Sequence, residues 1–148
     1  MSKLTSELLD AFRAADLRPT PQRTAVLQFL ARPGLHATAE EILSGVNRAD
    51  PRASRATVYN NLRALSRAGL VREVFTDGKS ARFDATLHPH HHFICDRCRA
   101  IEDVAWFPVQ APPAIPALAG KAVRRYDVVF HGICSHCGAI ESDREGNR

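Results

Sequence analysis

The chain has 148 residues, 45% hydrophobic and 24% charged, the make-up of an ordinary soluble protein large enough to bury a core. Its net charge of +4 is unevenly spread: residues 1–83 carry 13 Lys and Arg against 8 Asp and Glu, residues 84–148 only 7 against 8, so the first half suits a polyanion and the second needs another role. No apolar run is long enough to span a bilayer as a helix, and Met1–Leu4 leads into an amphipathic helix unlike a signal-peptide core, so a cytoplasmic location with reduced thiols is expected.

Leu4, Leu8, Leu9 and Phe12 recur at helical spacing and predict a first helix ending near Ala15. Thr20 and Pro21 suit the N-cap and first position of a second helix, with Val26, Phe29 and Leu30 inward and Pro33-Gly34 as its end. Thr38–Glu41 forms a capping-box pattern and predicts a third helix to about Val46. Ser54 caps a fourth helix whose inner face is Val58, Leu62 and Leu65, and Gly69 stops it. Leu70–Phe75 and Ser80–Asp84 read as strands joined across Asp77-Gly78. This order is that of a winged helix-turn-helix over residues 1–84.

Residues 85–89 read as a hinge, and residues 90–148 as a second domain. There Phe93–Cys95 and Ala100–Val104 look like strands around the first cysteine pair. Prolines 108, 112, 113 and 116 leave room only for a short helix around Ala114–Lys121. Val123–Cys134 alternates and predicts a strand, and the charged tail after Glu141 is expected to fray. The fold class is therefore α+β.

All four cysteines lie in two pairs, Cys95-x-x-Cys98 and Cys134-x-x-Cys137. In a reducing compartment that spacing points to one structural zinc closed by four thiolates and tying the first and last strands of the second half together. His90 and His92 share one side of a strand, and Asp84 and Asp103 bracket them. Imidazoles with carboxylates suit Fe, Mn, Zn or Ni, and the same run also suits a solvated histidine-rich linker. His36, far away in sequence, reads locally as an ordinary surface or packing histidine. The fourth helix offers Arg55, Thr57, Tyr59 and Asn60 near its N-terminal end, the end that enters the major groove in helix-turn-helix proteins. Lys79 and Arg82 could reach phosphates from the hairpin. A solvated polar helix face accounts for any one of these residues equally well.

Leu17-Arg18-Pro19-Thr20-Pro21-Gln22-Arg23, His36–Ile42, Ala56–Leu62, Arg82-Phe83-Asp84, His90–Cys95 and the last cysteine pair together resemble the ferric-uptake-regulator family of bacterial metalloregulators over nearly the whole chain. The resemblance implies a homodimeric repressor with a winged helix, a small α/β dimerisation domain and a palindromic double-stranded DNA operator. It adds Arg18 and Arg23 to the expected DNA contacts. The pattern is most similar to the peroxide-sensing branch. That likeness implies a structural Zn(II) on Cys95, Cys98, Cys134 and Cys137, and a regulatory Fe(II) or Mn(II) on His36, Asp84, His90, His92 and Asp103. It also implies that peroxide acts by Fe(II)-mediated oxidation of His36 or His90, a self-oxidation and not an enzyme's turnover.

There are departures from the family pattern. Pro89, Gln110 and Tyr126 stand where some members carry a further metal site, and Arg99 replaces the usual glycine. His88 and His91 are extra imidazoles that could shift metal choice towards nickel or zinc. The alternatives are an iron, zinc or nickel uptake regulator without oxidation chemistry, a metal-dependent hydrolase, and a zinc module that binds a protein partner.

Overall fold

Residues 3–49, 51–75, 80–108 and 116–145 are described by the structure, a computed structural model. The chain divides into two compact units at His88/Pro89. The first holds α1 (Lys3–Ala14), α2 (Pro21–Leu30), α3 (Ala39–Ala49), α4 (Arg55–Arg67), β1 (Val71–Phe75) and β2 (Ala81–Ala85).

Local chemistry sets the helix starts. Thr20 Oγ1 accepts the Arg23 N–H at 3.3 Å, and Ser54 Oγ accepts the Thr57 N–H at 3.1 Å. The capping box before α3 is reciprocal: the Thr38 N–H donates to Glu41 Oε2 at 2.8 Å, and the Glu41 N–H to Thr38 Oγ1 at 3.2 Å. α3 runs past Val46 to Ala49 because no helix breaker intervenes before Pro51. Gly69 (φ +75°) turns the chain out of α4.

Phe12, Leu27, Leu30, Ile42 and Leu65 form the centre of the first core, each almost wholly buried. α2 and α3 come together at Gly45, where a Cβ would stand only 2.0 Å from the Phe29 ring. β1 and β2 pair antiparallel with Arg72 opposite Asp84. The expected turn at Asp77-Gly78, and Lys79 with it, lies outside the described residues. Ala37 and Phe83 exchange both backbone hydrogen bonds, at 3.1 and 2.8 Å, which ties the segment before α3 to β2.

The second unit holds β3 (His90–Cys95), β4 (Ile101–Ala105), β5 (Val129–Gly132) and α5 (Ser135–Glu145). β3 is central, antiparallel to β4 and parallel to β5. It begins three residues before the predicted Phe93, so all of His90, His91 and His92 lie on a strand.

Three expectations are corrected here. The helix around Ala114–Lys121 is, among the described residues, a single 3-10 turn at Pro116–Leu118; Gly120 (φ +73°) ends it, and residues 114–115 lie outside them. The predicted strand Val123–Cys134 shrinks to Val129–Gly132, because the Val128 N–H goes to the His91 ring at 3.0 Å and not to a strand partner. The tail after Glu141 is not frayed at once but continues α5 to Glu145. Among the described residues the buried apolar ones of this unit are few, namely Ile94, Cys95, Cys134 and Cys137, whereas Val129, Phe130, Ile133 and Ile140 are exposed.

Candidate functional site

Cys95 ends β3 and Cys134 follows β5, so the parallel pairing of those strands brings the two cysteine turns together. All four sulfurs lie within 4.8 Å of one another. A tetrahedral zinc with Zn–S of about 2.3 Å requires sulfurs about 3.8 Å apart. Cys98 Sγ and Cys134 Sγ are separated by 3.8 Å. Backbone amides point at the sulfurs: the Cys98 and Cys134 N–H groups donate to Cys95 Sγ at 3.5 and 3.4 Å, and the Cys137 N–H to Cys134 Sγ at 3.4 Å. The Cys134 amide first, then that of Cys98, pulls the Cys95 thiol down to about 6. Burial pushes the Cys137 thiol up to about 12. The donor set is soft and closed, with all four positions supplied by protein, and it suits a structural zinc.

A second cluster stands at the other end of β3. His90 and His92 alternate to one side of the strand, their rings edge to face at 4.9 Å. His92 faces Asp103 across the β3–β4 ladder. Asp103 Oδ1 lies 3.6 Å from His90 Nε2 and 3.9 Å from His92 Nε2. His92 is fully buried, His90 half-buried and Asp103 exposed. Two imidazoles and a carboxylate converging in this way suit Fe(II) or Mn(II).

His91 points the other way and has a different role. Its Nδ1 accepts the Val128 N–H at 3.0 Å, and its Nε2 lies 2.9 Å from the Phe107 carbonyl oxygen. A carbonyl can only accept, so Nε2 carries the proton. The ring stacks on Trp106 at 4.7 Å and packs edge-on to Phe107 at 4.5 Å. His91 is thus a buried clasp, and the expectation that it shifts metal choice is withdrawn.

In the first unit, the bridge between Ala37 and Phe83 sets His36 across from Asp84 in an antiparallel register. Both residues are buried. The Arg82 guanidinium donates to the His36 carbonyl at 2.9 Å and to Glu41 Oε2 at 3.2 Å, so Arg82 fixes the His36 loop instead of reaching outward as a wing residue. Asp84 Oδ2 accepts from Arg72 Nε at 2.9 Å.

Along α4, Arg55, Tyr59 and Asn60 are exposed, while Asn61 turns into the core. Thr57 Oγ1 lies 2.8 Å from Ser54 Oγ within the cap. Arg55 pairs with Glu40 at 3.2 Å on the surface, a contact of about 0–1 kcal/mol. Arg18 is exposed, and Arg23 folds back to donate to the Arg18 carbonyl at 2.6 Å.

Asn47 escaped the sequence reading. Its side chain holds both backbone groups of Ala53, accepting from the N–H at 3.0 Å and donating to the carbonyl at 2.9 Å, just before α4 begins. Asparagine in the last turn of a helix is a turn signal, but nothing in the sequence says which loop it closes. Asn47→Ala is expected to cost about 1–2 kcal/mol of stability by leaving those groups without their partner. A shift in the midpoint of urea unfolding checks this, and an unchanged midpoint refutes it.

The described residues contain no helix long and apolar enough to cross a membrane. A sequence profile of the ferric uptake regulator family matches residues 14–114. The peroxide operon regulator of Bacillus subtilis is 34% identical over 137 residues, covering 92% of this chain and 94% of its own. The peroxide-responsive repressor PerR of Staphylococcus aureus strain Mu50 is 37% identical over 136 residues, covering 88% and 89%. Among solved structures, the Campylobacter jejuni peroxide stress regulator aligns with a TM-score of 0.64 at 26% identity, covering 93% of this chain and 100% of its own. The family match runs from the end of the first helix through both strands that carry the His/Asp cluster, and the chain belongs to the ferric uptake regulator family of metal-responsive repressors.

Proposed function

We propose that this repressor senses hydrogen peroxide by oxidation of one of its own metal-binding histidines. The convergence of His90, His92 and Asp103 on one end of the central strand carries the reading. The peroxide regulators among its relatives support it.

In this reading His36 and Asp84 join the cluster as the first unit's ligands. β2 and the bridge to Ala37 hold both in place. The ligand set then links the two units across a hinge at 85–89 and favours one arrangement of a homodimer on a palindromic operator in the cytoplasm. Arg55 and Asn60 would meet base edges, Thr57 and Tyr59 would meet phosphates or thymine methyls, and Arg18, Arg23 and Lys79 would meet phosphates.

Bound Fe(II) would supply the electrons that split peroxide beside an imidazole, whereas Mn(II) would support DNA binding without that chemistry. Overall, one peroxide oxygen enters a ring C–H bond of His36 or His90 and the other leaves as water. An oxidised ring ligates poorly, the link between units is lost, and DNA is released.

The test loads the zinc-containing protein with Fe(II) or Mn(II), adds peroxide, and maps added oxygen by peptide mass spectrometry. Met1 is the only methionine, so the readout is clean. Oxygen on His36 or His90 in the iron sample alone, with loss of DNA binding, is the expected result. Unmodified histidines in both samples would favour a metal-uptake regulator.

A further inference from the structure

We infer that Arg72 sets the metal threshold of the sensor, by holding Asp84 in an ion pair that an incoming divalent cation has to share or break. The inference rests on the ligand role proposed above for Asp84.

The pair is built into the fold. Arg72 on β1 and Asp84 on β2 stand directly opposite in the antiparallel register, so their side chains leave the same face of the hairpin. Arg72 Nε meets Asp84 Oδ2 at 2.9 Å, and the two side chains are only 12% and 7% exposed. Contacts this shielded are weakly screened by salt. The guanidinium stays charged at any working pH and cannot withdraw by losing its proton. Arg72 thus gives the buried carboxylate a counter-charge that a metal would otherwise provide. A buried carboxylate with no such partner would be strongly destabilising.

Two consequences follow for a cation that binds Asp84. It meets a fixed positive charge a few ångströms away, and it competes for an oxygen already accepting a charge-assisted hydrogen bond. Both lower affinity without altering the ligands. Neither Arg82 nor Arg55 acts on Asp84 in this way: Arg82 is bonded to the His36 carbonyl and Glu41, and Arg55 to Glu40.

The experiment titrates Mn(II) into the zinc-containing full chain and counts free Mn(II) by its electron paramagnetic resonance signal. Circular dichroism confirms that each variant is folded. Arg72→Gln is expected to tighten Mn(II) binding about tenfold or more. Arg72→Lys keeps the charge but loses the planar fork, and is expected to tighten it about threefold. It serves as the test if Arg72→Gln does not fold. In an Asp84→Asn background the gain from either change should shrink, because only the relief of charge repulsion remains and no oxygen is left to be freed. Mn(II) affinity that is unchanged or weaker in the Arg72 variants, while Asp84→Asn itself weakens binding, overturns the inference and leaves the ligand set standing. Wild-type affinity in Asp84→Asn removes Asp84 from the ligand set and overturns both.

Discussion

Stripping zinc from the cysteine quartet, or replacing Cys95 by serine, is expected to unfold the second unit while the first stays folded. The two units differ in what holds them. Among the described residues, the first packs sixteen buried apolar ones, from Leu8 to Ala85, into one cluster. The second, among the described residues, buries Cys95, Cys134 and Cys137 as its cluster, with only Phe93 partly buried against it. Such a core is far too small to offset the entropy of ordering the chain. The sulfurs make up most of that cluster, with Ile94 and His91 buried elsewhere in the unit, and zinc binding there is folding free energy, comparable with the whole stability of a small domain.

Serine at 95 would put a poor ligand where two amides converge on a fully buried sulfur. The pH dependence has a definite sign. Cys137, pushed up to about 12, must give up a proton to bind zinc at neutral pH, so affinity falls as pH falls. Cys95, held down to about 6, is already a thiolate at pH 7 and adds a further proton to the loss only below about pH 6. Peptide-resolved hydrogen exchange in strong chelator reads the outcome. Protection should vanish from β3 and β5 and persist in α2 and α4. Persistence in β3 after zinc is removed refutes the argument.

Much of the first unit was legible because its signals are local. Thr20, Thr38, Glu41 and Ser54 each act within three residues of where they sit, and the structure finds each cap bond. The cysteine quartet was legible because soft donors at fixed spacing leave few alternatives.

What failed depended on distant partners. The strand predicted from Val123 is cut short because His91, over thirty residues earlier, takes the Val128 amide. α5 was missed because its start is capped by a cysteine sulfur and not by a residue type that marks helix starts. The extra imidazole at 91 looked like a ligand, since a sequence shows the donor atoms but not the Phe107 carbonyl and Trp106 ring that enclose it. Arg82 read as a wing residue for the same reason, because its partner, the His36 carbonyl, is 46 positions away.

Within the proposed function, His92→Gln is expected to lower metal-dependent operator affinity about a hundredfold or more, the largest loss of any single ligand change in the second unit. His92 is the fully buried member of its cluster, on the central strand, with Asp103 opposite on β4. Its ring position is therefore fixed by the sheet, whereas half-buried His90 and exposed Asp103 have more room to adjust. Glutamine roughly fills the volume, so the strand keeps its packing while the imidazole is lost. A coupling of about 3 kcal/mol between metal and DNA corresponds to more than a hundredfold in affinity. The residual binding should be the salt-dependent attraction of the basic first unit for phosphate, similar for any DNA sequence.

Fluorescence anisotropy at fixed salt measures this, on a palindromic duplex selected from random DNA by the Mn(II)-loaded wild type. Reciprocity supplies a second reading from the same preparation: the duplex must tighten Mn(II) binding to the wild type by the factor by which Mn(II) tightens the duplex. In His92→Gln both factors should fall towards one together. If the variant holds the duplex as tightly as the wild type in Mn(II), the cluster on β3 is not the switch, and the control of DNA binding has to be sought in the zinc site or the dimer.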